Sequence, residues 1–398
     1  MSQPIVDWVI DTDTHITEPP DTFSSRLPSK YQDRAPKIIL NEETGSEIWV
    51  VGDRSPITPV GHTATAGWKE PFPEAPKSFA EVPLAAYDPH ARLEYMDSLG
   101  IWAMALYPNV GGFGSQVFLG LQDNDLMIAC VQAYNDFLTE WCEPAPERFI
   151  PITALPFWDV AASVKEIERC AKKGHKGILF TGEPQSHGMP VLANPHWNPL
   201  WACAQDHGLP ISFHIGAGNF TGEAFWTEER VQHYGSGGVN GIFTTGLFLD
   251  NAKQIVDLLF SGVLARFPKL EFISVESGVG FIPFLLEAAD HTFEYGQVRR
   301  DRPEFKLKPS EYFTRQVYGC YFFEEYAPSH LDGLPSDNIL FETDYPHPVC
   351  LYGNVREKID AGLAGATAES RNKLLFDNAA RLYDVKRPSY APKLATAS

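Results

Sequence analysis

Residues 9–15 read Val9-Ile10-Asp11-Thr12-Asp13-Thr14-His15, an apolar lead-in that runs straight into an acid and an imidazole two residues apart. On an extended strand, positions i and i+2 face the same side. Asp13 and His15 are therefore expected to leave a strand end side by side, with Asp11 one step deeper on that face. A carboxylate and an imidazole held together by backbone geometry make half of a metal site. Taken alone, the stretch favours a plainer reading: a helix start capped by Asp13 or Thr14, with His15 at the surface. The rest of the chain shifts that balance.

Directly after this strand, residues 19–86 differ in character from the remainder of the chain. The segment is rich in proline and contains one hairpin signature, Ile38-Ile39-Leu40, a turn through Glu43-Thr44-Gly45, then Ile48-Trp49-Val50-Val51. Gly61 to Gly67 is small and polar and reads as an exposed loop. The whole segment is expected to be an insertion that caps a site, since a structureless loop of this length is unusual inside a compact domain. It should pack over the mouth of the site or onto a neighbouring subunit.

From Asp88 a regular alternation takes over. Asp88-Pro89 opens a helix with an acidic cap and proline at its first position, ending at Gly100. Apolar strands are expected at 101–108, 149–155, 177–181, 210–214, 270–275, 317–322 and 338–344. Helices fall between them: 123–142, a stretch through Val164, Ile167 and Ala171, 194–207, 250–266 after a glycine- and aromatic-rich loop at 216–246, and one through Phe284, Leu285 and Ala288. A last helix at 368–383 closes the chain. Eight strand–helix units with short apolar strands predict a (β/α)8 TIM barrel. Residues 1–398 then form a single domain, with 19–86 as its inserted, cap-like segment. The polar residues fall at one end of the strands: Asp13 and His15, His214, Glu276, Asp344. In this fold, active sites are built at that end, where Tyr107, Gly111 and Gly112 also face the rim. A doubly wound sheet would show a glycine-rich phosphate turn after its first strand, and the sequence has none.

Composition narrows the partners. Fifty-one acids against 32 bases give a net charge of -19 over 398 residues, which argues against nucleic acid and anionic membrane. The partner expected is a small molecule. Aromatics make up 13% and there are 32 prolines, as in a rigid fold with elaborated loops. The six cysteines, Cys130, Cys142, Cys170, Cys203, Cys320 and Cys350, are scattered, as expected for reduced thiols in a cytoplasmic protein. No export signal is expected, because no basic region followed by a long apolar stretch is visible, and no apolar run approaches the ~20 residues of a membrane span.

Four segments together resemble a known family. The D-x-D-x-H opening, Ser212-Phe213-His214-Ile215-Gly216, Val275-Glu276-Ser277-Gly278 with Gly280, and Phe341-Glu342-Thr343-Asp344-Tyr345-Pro346-His347 are similar to amidohydrolase-related proteins of the aminocarboxymuconate-semialdehyde decarboxylase branch. Asn194-Pro195-His196-Trp197-Asn198-Pro199-Leu200-Trp201 adds to the likeness, which runs from residue 9 to about 384. The resemblance implies a divalent cation (zinc first, with manganese or iron as alternatives) held by Asp13, His15, His214 and Asp344. His347 then lines the pocket or caps the following loop.

The chain departs from that pattern at Glu276, where many decarboxylating relatives carry a proton-handling histidine. A carboxylate there can act as a base toward water or as a further ligand, but is not expected to donate a proton as an imidazolium does. Catalytic roles are therefore expected of Glu276, Asp344 and His347. Lys176 precedes its strand and sits at the wrong end to be a carboxylated bridging ligand, so one metal is the default. Yet Asp13, Glu276 and Asp344 bring three negative charges, which leaves room for a second ion. Three functions remain open: a metal-dependent hydrolase or non-oxidative decarboxylase of a small carboxylated or cyclic substrate; an iron- or manganese-dependent oxygenase component with an electron-donor partner; and a non-catalytic metal-binding subunit paired with a homologue. A homo-oligomer or a complex with a homologous subunit is expected.

Overall fold

The computed structural model describes residues 8–52, 59–70, 72–218, 225–326 and 335–390. Strands β1 (Val9–His15), β4 (Ile101–Tyr107), β5 (Phe149–Thr153), β6 (Gly177–Leu179), β7 (Ile211–His214), β8 (Phe272–Val275), β9 (Val317–Tyr321) and β10 (Ile339–Phe341) close into one barrel in the order β1-β10-β9-β8-β7-β6-β5-β4. Neighbouring strands run parallel, and β1 seals the ring between β4 and β10. The eight-stranded TIM barrel expected from the sequence is the fold.

Alternation along the strands builds two cores. Ile10, Ala103, Ala105, Tyr107, Ile150, Ile152, Ile273, Tyr318 and Leu340 form an inner cluster, which Phe376, Ala379, Leu382 and Tyr383 of the closing helical region join. Val9, Met104, Leu106, Phe149, Phe272 and Val317, the alternate positions, pack outward with the helices. Apart from β1, strands buried on both faces carry almost no charged residue until they end, as a parallel sheet requires. Helix starts follow their sequence signals. Asp88 accepts from the Ala91 N–H ahead of α1 (Pro89–Leu99), Asp123 from Leu126 ahead of α2 (Asn124–Cys142), and Asp159 from Ala162 ahead of α3 (Val160–Lys172).

The inserted segment holds the expected antiparallel hairpin, β2 (Lys37–Asn41) with β3 (Ser46–Val50). Its Phe23, Trp49, Val51 and Val60 join the outer core. The stretch from Gly61 to Gly67, expected as an exposed loop, instead lies against the barrel. Gly61, Ala64 and Ala66 are buried, and the Thr65 and Ala66 N–H groups both donate to the Pro346 carbonyl. Its smallness serves close approach: a Cβ on Gly61 would sit 1.8 Å from the Pro76 carbonyl oxygen.

Residues 216–246, expected as a loop, also differ, apart from 219–224, which lie outside the described residues. Most of this stretch is helical, within α5 (Glu228–Phe260), which follows α4 (Asn198–His207) and is interrupted only at Gly235, whose φ is 69°. Thr227 caps its start by accepting from the Arg230 N–H. Each interior glycine costs a helix only about 1 kcal/mol relative to alanine, too little to unmake the helical runs on either side of the Gly235 kink.

Candidate metal centre

Asp13 and His15 do leave β1 together, but not by simple alternation. The Thr12 hydroxyl meets Cys320 of the inner cluster, whereas Thr14 meets Arg92 on α1. The register against β4 shifts between Asp11 and Thr14. That irregularity separates Asp11 from the face it was expected to share. Asp11 instead accepts from the N–H and hydroxyl of Thr343, at 2.9 and 2.6 Å, and ties β1 to the end of β10. Two backbone bonds extend the tie: Asp344 N–H to Asp13 O, 2.9 Å, and His15 N–H to Tyr345 O, 2.7 Å. Buried Arg92 donates to the His15 carbonyl at 2.7 Å and holds the strand end from outside.

The two imidazoles have defined tautomers. His15 Nδ1 lies 3.2 Å from the Pro108 carbonyl oxygen and His214 Nδ1 lies 2.8 Å from that of Ile215. A carbonyl accepts only, so each Nδ1 carries the hydrogen and each Nε2 presents a lone pair. Those Nε2 atoms face each other at 3.2 Å. Asp13 Oδ1 lies 3.4 Å from His15 Nε2 and 3.5 Å from His214 Nε2, and Asp344 Oδ1 lies 3.3 Å from His15 Nε2. All four side chains are fully buried, and both oxygens of Asp13 and of Asp344 lack a hydrogen-bond partner. Donors bound at ~2.0–2.2 Å to one tetrahedral ion stand ~3.3–3.5 Å apart. Buried lone pairs with no hydrogen between them, at that spacing, fit a divalent cation.

Charge follows the same geometry. Burial works to raise the Asp13 pKa, but His214 and His15, when they carry protons in the place a cation would take, win and hold the carboxyl well below its usual range. Asp344 is pushed up to about 6 by burial, with the neighbouring Asp13 charge adding to it. Glu276, at the end of β8, is raised well above the usual glutamate range by burial and then by Asp344, Asp13 and Glu342. Both Glu276 and Asp344 have left-handed backbone, with φ of 57° and 58°, a conformation that costs a residue with a Cβ roughly 1–3 kcal/mol and clusters at functional sites.

His347 packs its ring on that of His15, with centroids 3.8 Å apart. Asn109 donates through its amide to the Ile16 carbonyl, so its Oδ1 faces His347 Nε2 at 2.7 Å. His347 therefore donates from Nε2 and directs the bare Nδ1 at Asp344 Oδ1, 2.8 Å away. Burial drives the His347 pKa down to about 3. The Asn109 loop is in turn anchored by buried Glu18, which accepts from the Asn109 and Val110 N–H groups.

Sequence reasoning thus named Asp13, His15, His214, Glu276, Asp344 and His347, and the structure brings all six together. It passed over Asn109, Glu342, Phe113 and Gln116. Glu342 accepts from the Glu276 N–H at 3.1 Å, and its place two residues before Asp344 is the spacing that singled out Asp13 and His15. Phe113 stacks on His214 with centroids 4.2 Å apart. Lys176 lies at the opposite end of the barrel and donates to the carbonyls of Tyr383 and Asp384.

The cluster opens into a cavity of about 360 Å³. Its lining includes Phe72, Phe113, Val117, Phe243, Leu247 and Val349, with His62 and Thr63 from the inserted segment and Asn109 and Gln116 as neutral polar groups. Among the described lining residues there is no lysine or arginine.

A sequence profile of the amidohydrolase family matches residues 10–385. The chain belongs to the amidohydrolase family. Among curated relatives, the gamma-resorcylate decarboxylase of Rhizobium sp. (strain MTP-10005) is 26% identical over 301 residues, 73% of this chain and 86% of that protein. Among solved structures, an amidohydrolase from Mycobacterium avium subsp. paratuberculosis K-10 superposes with a TM-score of 0.74 at 23% identity, over 94% of this chain and 99% of its own. A dihydroxybenzoic acid decarboxylase from Polaromonas sp. JS666, with bound manganese and the inhibitor 2-nitroresorcinol, gives 0.60 at 19% identity, over 96% and 98%. At these identities the structural likeness speaks for the fold alone, which is shared over 94% and 96% of this chain. Among the described residues no helix is long and apolar enough to cross a membrane.

Proposed function

We propose that this amidohydrolase-family enzyme is a metal-dependent carboxy-lyase that removes carbon dioxide, without oxidation, from a small aromatic carboxylic acid. The observation that carries the reading is the set of facing, hydrogen-free lone pairs of His15, His214, Asp13 and Asp344 at the floor of an aromatic-walled cavity. The curated decarboxylase relatives support the choice of reaction. Imidazoles and carboxylates without a thiolate suit zinc, manganese or ferrous iron. A divalent cation held there supplies a Lewis acid that fixes and polarises the substrate's oxygens.

The chain's own groups supply the rest. Phe72, Phe113, Phe243 and Leu247 present apolar surface that suits a flat ring and displaces water from it. Gln116 donates its amide to the Gly216 carbonyl, while its Oε1 is buried without a partner. That leaves Oε1 to accept from a ring hydroxyl. In the reaction, the bond between ring carbon and carboxylate breaks, neutral carbon dioxide leaves, and the electron pair left on the ring carbon takes a proton. Glu276, on the cavity side of the cluster and raised well above its usual range first by burial, is the acid placed to hand that proton over. In this reading Glu276 takes a proton-donating role that was not expected of a carboxylate at this position.

The test is release of carbon dioxide from a panel of hydroxybenzoic acids by manganese- or zinc-loaded protein, with His15→Ala and His214→Ala alongside. The expected result is substrate-dependent release by the wild type, with both variants folded, poor in metal and inactive. Hydrolysis of esters or lactones with no carbon dioxide from any acid would replace this reading by a hydrolase. Full metal content in either alanine variant would remove the ligand assignment.

A further inference from the structure

Glu276 leaves the end of β8 in left-handed backbone, with φ of 57°. A side chain with a Cβ keeps that conformation only when its surroundings over-determine it. The relief available to it is local. A peptide is planar and turns as one unit, so rotating the one between Val275 and Glu276 changes ψ of the first and φ of the second. That rotation would return Glu276 to ordinary backbone and swing its carboxyl out of place. The peptide is gripped on both sides against it. Its N–H donates to Glu342 Oε2 at 3.1 Å, and its carbonyl oxygen accepts from Asn251 Nδ2, also at 3.1 Å.

Asn251 lies on α5 and is fully buried. Its Nδ2 also donates to the Phe213 carbonyl at 2.8 Å and meets Ser274 Oγ at 3.2 Å. Two carbonyls accept only, so the nitrogen of this amide, not its oxygen, faces the barrel. The ladder between β7 and β8 runs out at this level: the Ile215 N–H reaches the Val275 carbonyl only at 3.4 Å, a long bond. The Asn251 amide supplies the failing rung where both strands turn to place His214 and Glu276. Ser274 carries the grip around the turn, since its hydroxyl meets that of Ser277 at 2.7 Å. Packing alone does not account for the residue, because Asn251 Oδ1 is buried without a partner, a cost that a packing role would not require.

The same helix walls the cavity. Asn240, Phe243, Thr244 and Leu247 line it, and Leu247 lies one turn ahead of Asn251. Gln254, one turn beyond, accepts from the Gly182 N–H past the end of β6 at 3.0 Å. The approach there is close: a Cβ on Gly182 would fall 2.1 Å from Gln254 Oε1. One anchored element therefore touches both the cavity and the peptide that aims Glu276.

We propose that Asn251 is a positioning residue for proton delivery: from α5 it locks the Val275–Glu276 peptide and keeps the Glu276 carboxyl in register with the cavity wall. Asn251 itself is not among the residues lining the cavity. The proposal rests on the decarboxylase reading above, in which Glu276 hands the proton over.

The test is a double-mutant cycle between Asn251→Ala and Glu276→Gln, reading carbon dioxide release, metal per chain and folding. In the wild-type background, Asn251→Ala is expected to lower kcat by about 10–100-fold, the scale set by a displaced reacting group. KM and metal content should stay nearly unchanged. In the Glu276→Gln background the same change should cost little, because no proton is left to aim. Heavy water gives a second reading: the solvent isotope effect on kcat should grow in Asn251→Ala as proton delivery slows. Ser277→Ala breaks only the outer link and should move the same quantities less; it carries the cycle if Asn251→Ala does not fold. Equal losses in the two backgrounds overturn the proposal and leave the decarboxylase reading standing. So does loss of metal in Asn251→Ala, which would make the residue a support of His214 instead. A raised KM with unchanged kcat would make it part of the wall and overturns the proposal too. Wild-type protein that takes up metal yet releases no carbon dioxide fails the decarboxylase reading itself, and the proposal with it.

Discussion

At the scale of single residues, the site is governed by what each side chain faces. Glu276 gives the sharpest prediction. Glu276→Gln keeps size and hydrogen bonding but removes the proton, so turnover should fall by roughly 10²–10⁴, the usual worth of general acid–base catalysis. Metal content and melting temperature should stay close to the wild type, and elemental analysis, calorimetry and steady-state rates read all three. A variant with unchanged turnover would end the assignment of Glu276 to the chemistry. Asp13, His15, His214 and Asp344 were legible in the sequence because each ends an apolar strand, where a polar residue has no place in the core. Asp11 was misplaced because the skipped step between Thr12 and Thr14 depends on pairing with β4, which no local pattern records. Asn109 was invisible for a related reason: its partner His347 lies 238 residues away.

At the scale of elements, the barrel strands and the capped helices α1 to α3 were legible because hydrophobic period and cap chemistry agree along them. Two elements were not. In α5 the glycines suggested a loop, while a cap at Thr227 and a run of backbone bonds made a helix. In the stretch around Gly61, small polar composition suggested exposure, while contacts with Pro76 and Pro346 bury it. We propose that this stretch serves as a strap over the cavity, since His62 and Thr63 line it. Gly61→Ala would drive a Cβ into the Pro76 carbonyl, an overpacking that costs about 1–3 kcal/mol. Faster amide exchange is expected across residues 59–70, together with a higher KM and a nearly unchanged kcat. Exchange no faster than in the wild type would remove the strap.

At the scale of the whole molecule, buried titratable groups tie stability to pH. His175 is 3% exposed; its Nε2 faces Thr139, whose hydroxyl already donates to the Asn135 carbonyl, and its Nδ1 faces Thr153. Burial depresses its pKa from 6.5 to about 4. The folded state therefore refuses a proton that the unfolded chain accepts below pH 6.5. The contribution is complete above that pH and is lost as pH falls toward about 4, a loss on the order of 3 kcal/mol. His175→Gln should flatten this part of the acid limb in denaturant titrations taken at several pH values. Superimposable limbs for variant and wild type would show that other groups carry it.

The closure of the barrel through β1 has a consequence for biosynthesis. Asp13 and His15 are synthesised before the other ligands, whereas Asp344 follows the last barrel strand and docks on β1 through Asp11, Asp13 and His15. A nascent chain that still lacks β10 carries only part of the ligand set and has an open seam where the ring should shut. The full ligand set is thus assembled only when the last barrel strand docks on β1, so a chain that stops before β10 lacks Asp344 and the seam that holds it.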